Sequence, residues 1–254
     1  MSAKGSVDVT VVIAARNEAV NIEPCIASVG WAREIVVVEN DSTDDTIERA
    51  RAAGAIVVSN PFSTIGGQRN AAIGRATFAW ILVVDADERG SAELGEEIRS
   101  TTLNPAGDAY RIRRRNFFMG SEIRHGGWNH DRPVRLFRSH LRYDGSRVHE
   151  HVELKTDPGE LRAPLIHEPY PSIESYIEKL DRYSTWWAQD RFERGKRTGA
   201  SGVWIRARLR FASMYVLRLG LLDGEAGVIL AALASTSVMA KYAKLWELQK
   251  RGGG

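Results

Sequence analysis

Two carboxylates, Asp85 and Asp87, follow directly on four apolar residues, Ile81 to Val84, in the stretch WILVVDADERG at 80–90. An apolar run of that length reads as a strand buried on both faces. Acids at the end of such a strand are costly to desolvate unless a cation offsets them. A hard divalent ion held by oxygen ligands would do so, and it keeps coordination positions open for substrate phosphates. The chemistry that suits this spacing is metal-held diphosphate binding; the plainer alternative is a strand end whose acids are solvated. Two other polar groups stand at comparable places. Arg16-Asn17-Glu18 follows the apolar run at 7–15, and Glu39-Asn40-Asp41 ends the one at 34–40.

The elements that would position these groups alternate. Strands are expected at 7–15, 34–40, 55–59 and from Ile81. Between them come a helix capped by Asn21 with Pro24 in its first turn, a helix after 41–44 stopped by Gly54, and a short helix at 68–75 after a flexible Gly66-Gly67 loop. Such alternation gives a parallel sheet covered by helices on both faces. Ligands of these sheets bind beyond the carboxyl ends of the strands, which is the edge where all three polar groups fall. Neither a Walker sequence nor a GxGxxG follows the first strand, which argues against a P-loop ATPase or a Rossmann dehydrogenase. Phosphate charge must then be met by the metal and by arginines such as Arg69.

Four segments in this order, VVIAARNEAVNIEPCIASV, EIVVVENDSTDDT, GGQRNAAI and LVVDADE, together resemble the family-two glycosyltransferases of GT-A fold. Farther on, GGWNHDRPVRLFR, VHEHV and YIEKLDRYSTWWA resemble the bacterial branch that includes the lipopolysaccharide core β-1,4-glucosyltransferases. The resemblance implies an α/β, GT-A (Rossmann-like), mostly parallel sheet with helices on both faces, followed by a helical C-terminal appendage. It implies inverting transfer from a nucleotide-diphosphate sugar, first of all a UDP-sugar, to a hydroxyl of a bacterial cell-surface glycan or lipid-linked acceptor, assisted by Mn2+ or Mg2+. On this resemblance Arg16 and Glu18 would line the base and ribose pocket. Glu39 would stand where the family usually has Asp at the base edge, and Arg69 would contact base or phosphate. Asp85 and Asp87 would form the DXD motif, Asp85 facing ribose and metal and Asp87 binding the metal, with His149 as a further nitrogen ligand. Two carboxylates compete for the role of general base, Asp131 in HDRPVRLFR and Glu150 in VHEHV.

The remaining sequence sets the surroundings. Residues 1–170 are expected to form the catalytic domain, with 1–100 the nucleotide half and 101–170 the acceptor half, and 171–251 a helical region. In AYRIRRRNFF, Arg111, Arg113 and Arg115 share one strand face at period two, either a wet face or a cradle for an anionic ligand. At 202–222, Trp204, Ile205 and Leu209 alternate with Arg206, Arg208, Arg210 and Arg218. That mixture suits a helix lying in a lipid headgroup layer, or one packed on the catalytic domain or on a second subunit of a homodimer. No run of about 20 apolar residues is present, and Asp223 and Glu225 interrupt the apolar stretch that follows, so a spanning helix is not expected. A net charge of +3 on 254 residues gives no reason to expect nucleic-acid binding. A single cysteine, Cys25, excludes an internal disulfide and fits a reducing compartment. The expected setting is the cytoplasm, at the inner face of the cytoplasmic membrane. A sugar nucleotidyltransferase would carry a Gly-rich loop where AARNEA stands. A membrane-associated scaffold would have no use for Glu18, Glu39, Asp85 and Asp87 on one edge.

Overall fold

The computed structural model describes residues 6–60, 64–128, 131–146 and 150–251. In chain order the strands are β1 (Val7–Ala15), β2 (Ala32–Glu39), β3 (Ile56–Ser59), β4 (Trp80–Asp85), β5 (Glu88–Gly90), β6 (Ala109–Phe118), β7 (Ser121–Ile123), β8 (Val134–Arg138) and β9 (Gly159–His167). The helices are α1 (Ile22–Ser28), α2 (Thr46–Ala52), α3 (Ile65–Ile73), α4 (Ala92–Leu103), α5 (Ile173–Glu193), α6 (Ala200–Ala212) and α7 (Gly224–Arg251). Two compact units result: Met1–Arg114 with Asp131–His167, and Arg115–His130 with Glu168–Gly254. The second, helical unit thus includes the 115–130 segment as well as the C-terminal helices.

The sheet runs β3-β2-β1-β4-β8-β6-β9-β5, with β7 paired to β6. Its first four strands are parallel, and the pairings of β4 with β8, β6 with β8 and β5 with β9 are antiparallel. The α/β GT-A architecture is therefore present, with parallel pairing confined to the nucleotide half. Strands β1 and β4 carry continuous apolar runs because both of their faces are covered. Val9, Val11, Ile13, Leu82 and Val84 pack with Ile22 and Ile26 of α1 and with Leu94 and Ile98 of α4. The alternate residues Val12, Ile81 and Val83 pack with Ala72 and Ile73 of α3. Cys25 is part of the first cluster. Burial pushes its thiol pKa up, and its Sγ lies 3.5 Å from the Asp85 carbonyl oxygen.

Two local expectations change. Asn21 precedes α1 but makes no side-chain cap bond; its Nδ2 donates instead to Glu18 Oε2 at 2.8 Å. Helix α3 begins at Ile65, so Gly66 and Gly67 lie in its first turn, not in a flexible loop. Thr64 caps that turn, its hydroxyl accepting from the Gly67 amide at 3.1 Å. The glycine at 66 serves close packing: a Cβ there would stand 3.1 Å from the Asp144 carbonyl oxygen and 3.3 Å from Glu150 Cβ.

In the helical unit the chain from 202 to 222 is not one helix. After α6 come a π-type turn (Ser213–Leu217) and a 3-10 turn (Gly220–Asp223), with Leu219 left-handed at φ 57° between them. Close backbone approach forces the reversal. A Cβ on Gly220 would lie 2.7 Å from the Met214 carbonyl oxygen, and one on Gly227 only 1.9 Å from the Gly220 carbonyl oxygen. Asp223, expected as a charge breaking an apolar run, is a buried tie. Its carboxylate accepts from the amides of Arg124 at 3.1 Å and His125 at 2.9 Å, and meets His125 Nδ1 at 2.8 Å. From Gly220 to Arg251 the chain is long and apolar enough to cross a membrane by length and composition, and only 22% of its most apolar window is buried. This departs from the expectation of no such helix. Ser, Thr and Gly interrupt the aliphatic residues here without adding charge.

Candidate active site

The carboxyl ends of β1, β2 and β4 lie at one level. Ala14 pairs with Asp85, Ala15 with Glu39, and Glu39 with Ser59. Glu39 is buried, and its carboxylate accepts from the Ser42 amide at 3.1 Å and from the Ser59 hydroxyl at 2.6 Å. The loops after β1 and β2 are joined to each other. The Asn17 side-chain oxygen accepts from the Thr43 amide at 2.8 Å, the Glu18 amide donates to Thr46 Oγ1 at 2.8 Å, and the Ala19 amide donates to Asp44 at 3.1 Å. Asn17 and Asp41 both adopt left-handed backbone, φ 56° and 51°, as Asn and Asp tolerate in tight turns. Arg16 is exposed and Glu18 half-buried beside these turns.

Asp85 gathers three arginines. Arg69 reaches its Oδ1 at 2.5 Å, Arg114 its Oδ2 at 2.8 Å, and Arg135 donates to the same oxygen. Burial alone would raise the Asp85 pKa, but the three guanidiniums outweigh it and hold the group well below the usual carboxylate range. Glu88, wholly buried, completes the cluster. Its Oε1 accepts from Arg114 at 2.5 Å and from Arg135 at 3.0 Å, and its Oε2 accepts from the Asp85 amide at 2.8 Å. Both candidate bases attach to the same hub, each through one arginine. Glu150 accepts from Arg69 at 2.6 Å, and Asp131 accepts from Arg114 at 2.8 Å. They differ in access, the Asp131 side chain being 42% exposed and that of Glu150 16%.

Asp87 lies on the same edge, beside the end of β9. Its Oδ1 stands 3.7 Å from His167 Nε2, with both side chains mostly buried. His167 ends β9 and is brought there by its register opposite Glu88. Burial lowers the His167 pKa, more than the nearby Asp87 raises it, so the ring favours its neutral form. A separation of 3.7 Å exceeds a hydrogen bond; adjacent ligands of an octahedral cation at about 2.1 Å stand about 3.0 Å apart, so the pair would have to draw together to share one ion. Among the described residues no set of three acidic, histidine or cysteine side chains converges on one point. A metal here would take two protein donors and leave the rest of its shell to phosphate and water, which hard cations accept.

Of the residues expected at the site, Arg16, Glu18, Glu39, Asp85 and Asp87 lie at this edge, and Arg69, Asp131 and Glu150 join its arginine network. His149 lies outside the described residues. Four participants are absent from the sequence expectations: Glu88, Arg114, Arg135 and His167. The expected arginine face of β6 is different in kind. Arg111 and Arg113 are exposed, Arg115 pairs with Glu122 at 2.9 Å in the helical unit, and the opposite-facing Arg114 enters the site.

The model of glycosyl transferase family 2 matches residues 10–144. An uncharacterized glycosyltransferase of Rickettsia typhi is 28% identical over 250 residues, covering 93% of this chain and 86% of the relative. The lipopolysaccharide core biosynthesis glycosyltransferase LpsC of Rhizobium meliloti is 28% identical over 245 residues, covering 89% and 90%. Glucosyl-3-phosphoglycerate synthase from Mycobacterium tuberculosis, solved with Mn2+, UDP and glucosyl-3-phosphoglycerate, aligns over 46% of each chain at 26% identity with a TM-score of 0.36. The matched segment begins in β1, ends beyond β8 and contains the carboxyl ends of β1, β2 and β4 with Asp85 and Asp87, and on that match the chain belongs to glycosyl transferase family 2.

Proposed function

We propose that the first unit transfers a sugar from a nucleotide-diphosphate donor, a UDP-sugar foremost, to a hydroxyl of a bacterial surface glycan or lipid-linked acceptor, with inversion and with help from Mn2+ or Mg2+. The observation that carries the reading is the Asp87–His167 pair beside the Asp85 arginine hub, at the strand-end edge of a family-two chain. Arg16, Glu18 and Glu39 would receive base and ribose. Asp87 and His167 would hold the metal, whose charge, when it is bound, offsets that of the departing diphosphate. Asp85 is committed to three guanidiniums, so its part would be to fix Arg69 and Arg114 and to reach the donor from that anchor.

In the reaction the acceptor oxygen forms its bond to the anomeric carbon as the bond to the diphosphate breaks, and a base takes the hydroxyl proton. Asp131 suits the base better than Glu150. An acceptor arrives from solvent, and Asp131 is the more open of the two. Glu150 then positions Arg69. The acceptor class is supported by the relative named for lipopolysaccharide core biosynthesis.

The helical unit would dock the protein on the inner face of the cytoplasmic membrane. Trp204, Ile205 and Leu209 on α6 and Leu217 and Leu222 beyond it are each more than half exposed, with Arg208 exposed among them. Aromatic and aliphatic groups beside a cation are what an interfacial helix presents to anionic headgroups. The competing use of this surface is a homodimer.

The donor assignment is tested by thermal shift with UDP-, GDP-, ADP- and dTDP-sugars, each with and without Mn2+. A ligand that binds only the native state raises Tm. Stabilisation by UDP-sugar that needs the metal is expected; no stabilisation by any of the four would reject the reading.

A further inference from the structure

Beyond the strand-end site, the helical unit carries a half-open pocket of about 380 Å³, within the range of small-ligand pockets, roughly 300–1,000 Å³. Its aromatic wall is built by Trp128, Tyr170 and Tyr176, with centroids 6.3 Å apart for the first pair and 4.5 Å for the second. Leu230, Ala234 and Val238 of α7 form the apolar remainder. Two cations reach the same space from different helices, Arg210 from the last turn of α6 and Lys241 from α7, with the Ser237 hydroxyl one helical turn before Lys241.

The charge is unbalanced. No carboxylate lines the cavity, and neither Arg210 nor Lys241 forms an ion pair among the described residues. Lys241 faces the Trp187 ring at 6.0 Å, which is a weak partner compared with an anion. Partial burial lowers the pKa of both groups. Repulsion from Arg218 adds to this for Arg210, and repulsion from Arg210 adds to it for Lys241. Two like charges held together and partly desolvated oppose folding. An arrangement of that kind is stabilised when a compact anion with several acceptor oxygens enters it.

We propose that this cavity binds a phosphoryl group carried on a ring or short apolar body, the phosphate held by Arg210 and Lys241 and the body lying against the aromatic wall. Two sources share that chemistry, a soluble phosphosugar and the headgroup end of a phospholipid. The proposal is independent of the donor site, because all the residues named belong to the helical unit.

Calorimetric titrations of the full chain at fixed ionic strength compare glucose 6-phosphate with dihexanoyl phosphatidate kept below its micellar concentration. Inorganic phosphate is the body-free control. Saturable binding of one organic phosphate more tightly than inorganic phosphate is expected, and the tighter of the two identifies the source. Lys241→Gln and Arg210→Gln should each weaken it at least tenfold while UDP-induced stabilisation persists. If either variant folds poorly, Ser237→Trp, which fills the cavity without touching its charges, should abolish the same binding. Absence of binding by both organic phosphates at 10 mM overturns the proposal, as does binding that all three variants leave unchanged.

Discussion

Asp85 sits where three guanidiniums and a buried glutamate meet, so it acts as the centre of a network and not as an isolated acid. Asp87, two residues on, faces His167 across 3.7 Å. This division of labour gives the first prediction. Asp87→Ala should lower transfer by several orders of magnitude at ordinary metal concentration while Tm stays near the parent value. Asp87→Asn should do nearly the same, since shape is kept and charge is lost. A variant retaining parent-level turnover would remove Asp87 from the metal site. The second prediction separates the two carboxylates tied to the hub. A positioned base contributes about a hundred- to ten-thousand-fold in rate, and it acts in the transition state. Asp131→Asn should therefore lower kcat with donor binding intact. Glu150→Gln should weaken donor binding through Arg69. The reverse pattern in steady-state kinetics and donor titration would exchange their roles.

The reach of the sequence is clearest in single residues. Asp85 and Glu39 are readable because each ends an apolar strand and both fall on one edge of a parallel sheet, although a single acid so placed is equally well explained by a solvated strand end. Arg114 carries a signal of its own: it shares the inward parity of Tyr110 and Ile112 in β6, opposite to that of Arg111, Arg113 and Arg115. Arg135, within PVRLFR, was masked by the same strand pattern, which marks burial without saying that the buried cation is paired. His167 depends on the antiparallel register of β5 with β9. Nothing in one sequence fixes a pairing between strands so far apart, since hydrophobic alternation sets faces and not partners.

At the level of elements, glycines fix where backbones touch. Gly227 lies in the first turn of α7 against the carbonyl of Gly220, and a methyl group at that position would lie 1.9 Å from the oxygen. Gly227→Ala should destabilise the helical unit by on the order of 3 kcal/mol, the upper end for overpacking. Denaturant unfolding followed by fluorescence would measure it; unchanged stability would mean that the turn at 220–223 moves freely. The β6–β7 hairpin supplies a pH prediction. Glu122 accepts from Arg115 and Arg124, which lower its pKa to about 2, against a small opposing effect of burial. A carboxyl group depressed in the folded state adds stability above its unfolded pKa, and that stability is lost as pH falls toward the folded value. Between about pH 4.5 and pH 2 the parent protein should therefore lose more Tm than Glu122→Gln. Parallel pH profiles for the two proteins would show that the pair contributes nothing.

For the whole molecule, the question is where it works. On the proposed reading the strand-end site would take a soluble donor, while the helical unit leaves Trp204, Ile205, Leu209, Leu217 and Leu222 exposed. Each basic residue near an anionic surface contributes on the order of 1 kcal/mol, a gain that salt removes. Flotation with liposomes containing anionic lipid, reversed by high salt, is expected. Arg206 is a poor reporter, because it stacks over Tyr242 at 4.5 Å and donates to the Gly202 carbonyl. The informative variant is Trp204→Ser with Arg208→Gln, both exposed. It should weaken flotation about tenfold or more and leave turnover of a short soluble acceptor unchanged. A stable dimer in solution whose formation these substitutions abolish would assign the surface to a second subunit. The parallel half-sheet and the strand-end edge followed from alternation alone. The second unit's inclusion of residues 115–130 did not, because Asp223 reaches back to the amides of 124 and 125 over nearly a hundred residues of chain.

The buried thiol beneath the site turns the protein into its own stopwatch. Alkylation requires a thiolate in contact with reagent, and Cys25 offers neither while α1 is seated, being wholly buried with its thiol pKa raised. Modification can proceed only through molecules that have opened, so its rate counts openings. As Cys25 is the chain's one cysteine, the count needs no engineered background. Its sulfur rests on the Asp85 carbonyl, so each opening recorded is one in which the floor under the catalytic edge has come apart, and a bound donor should lengthen the interval between them.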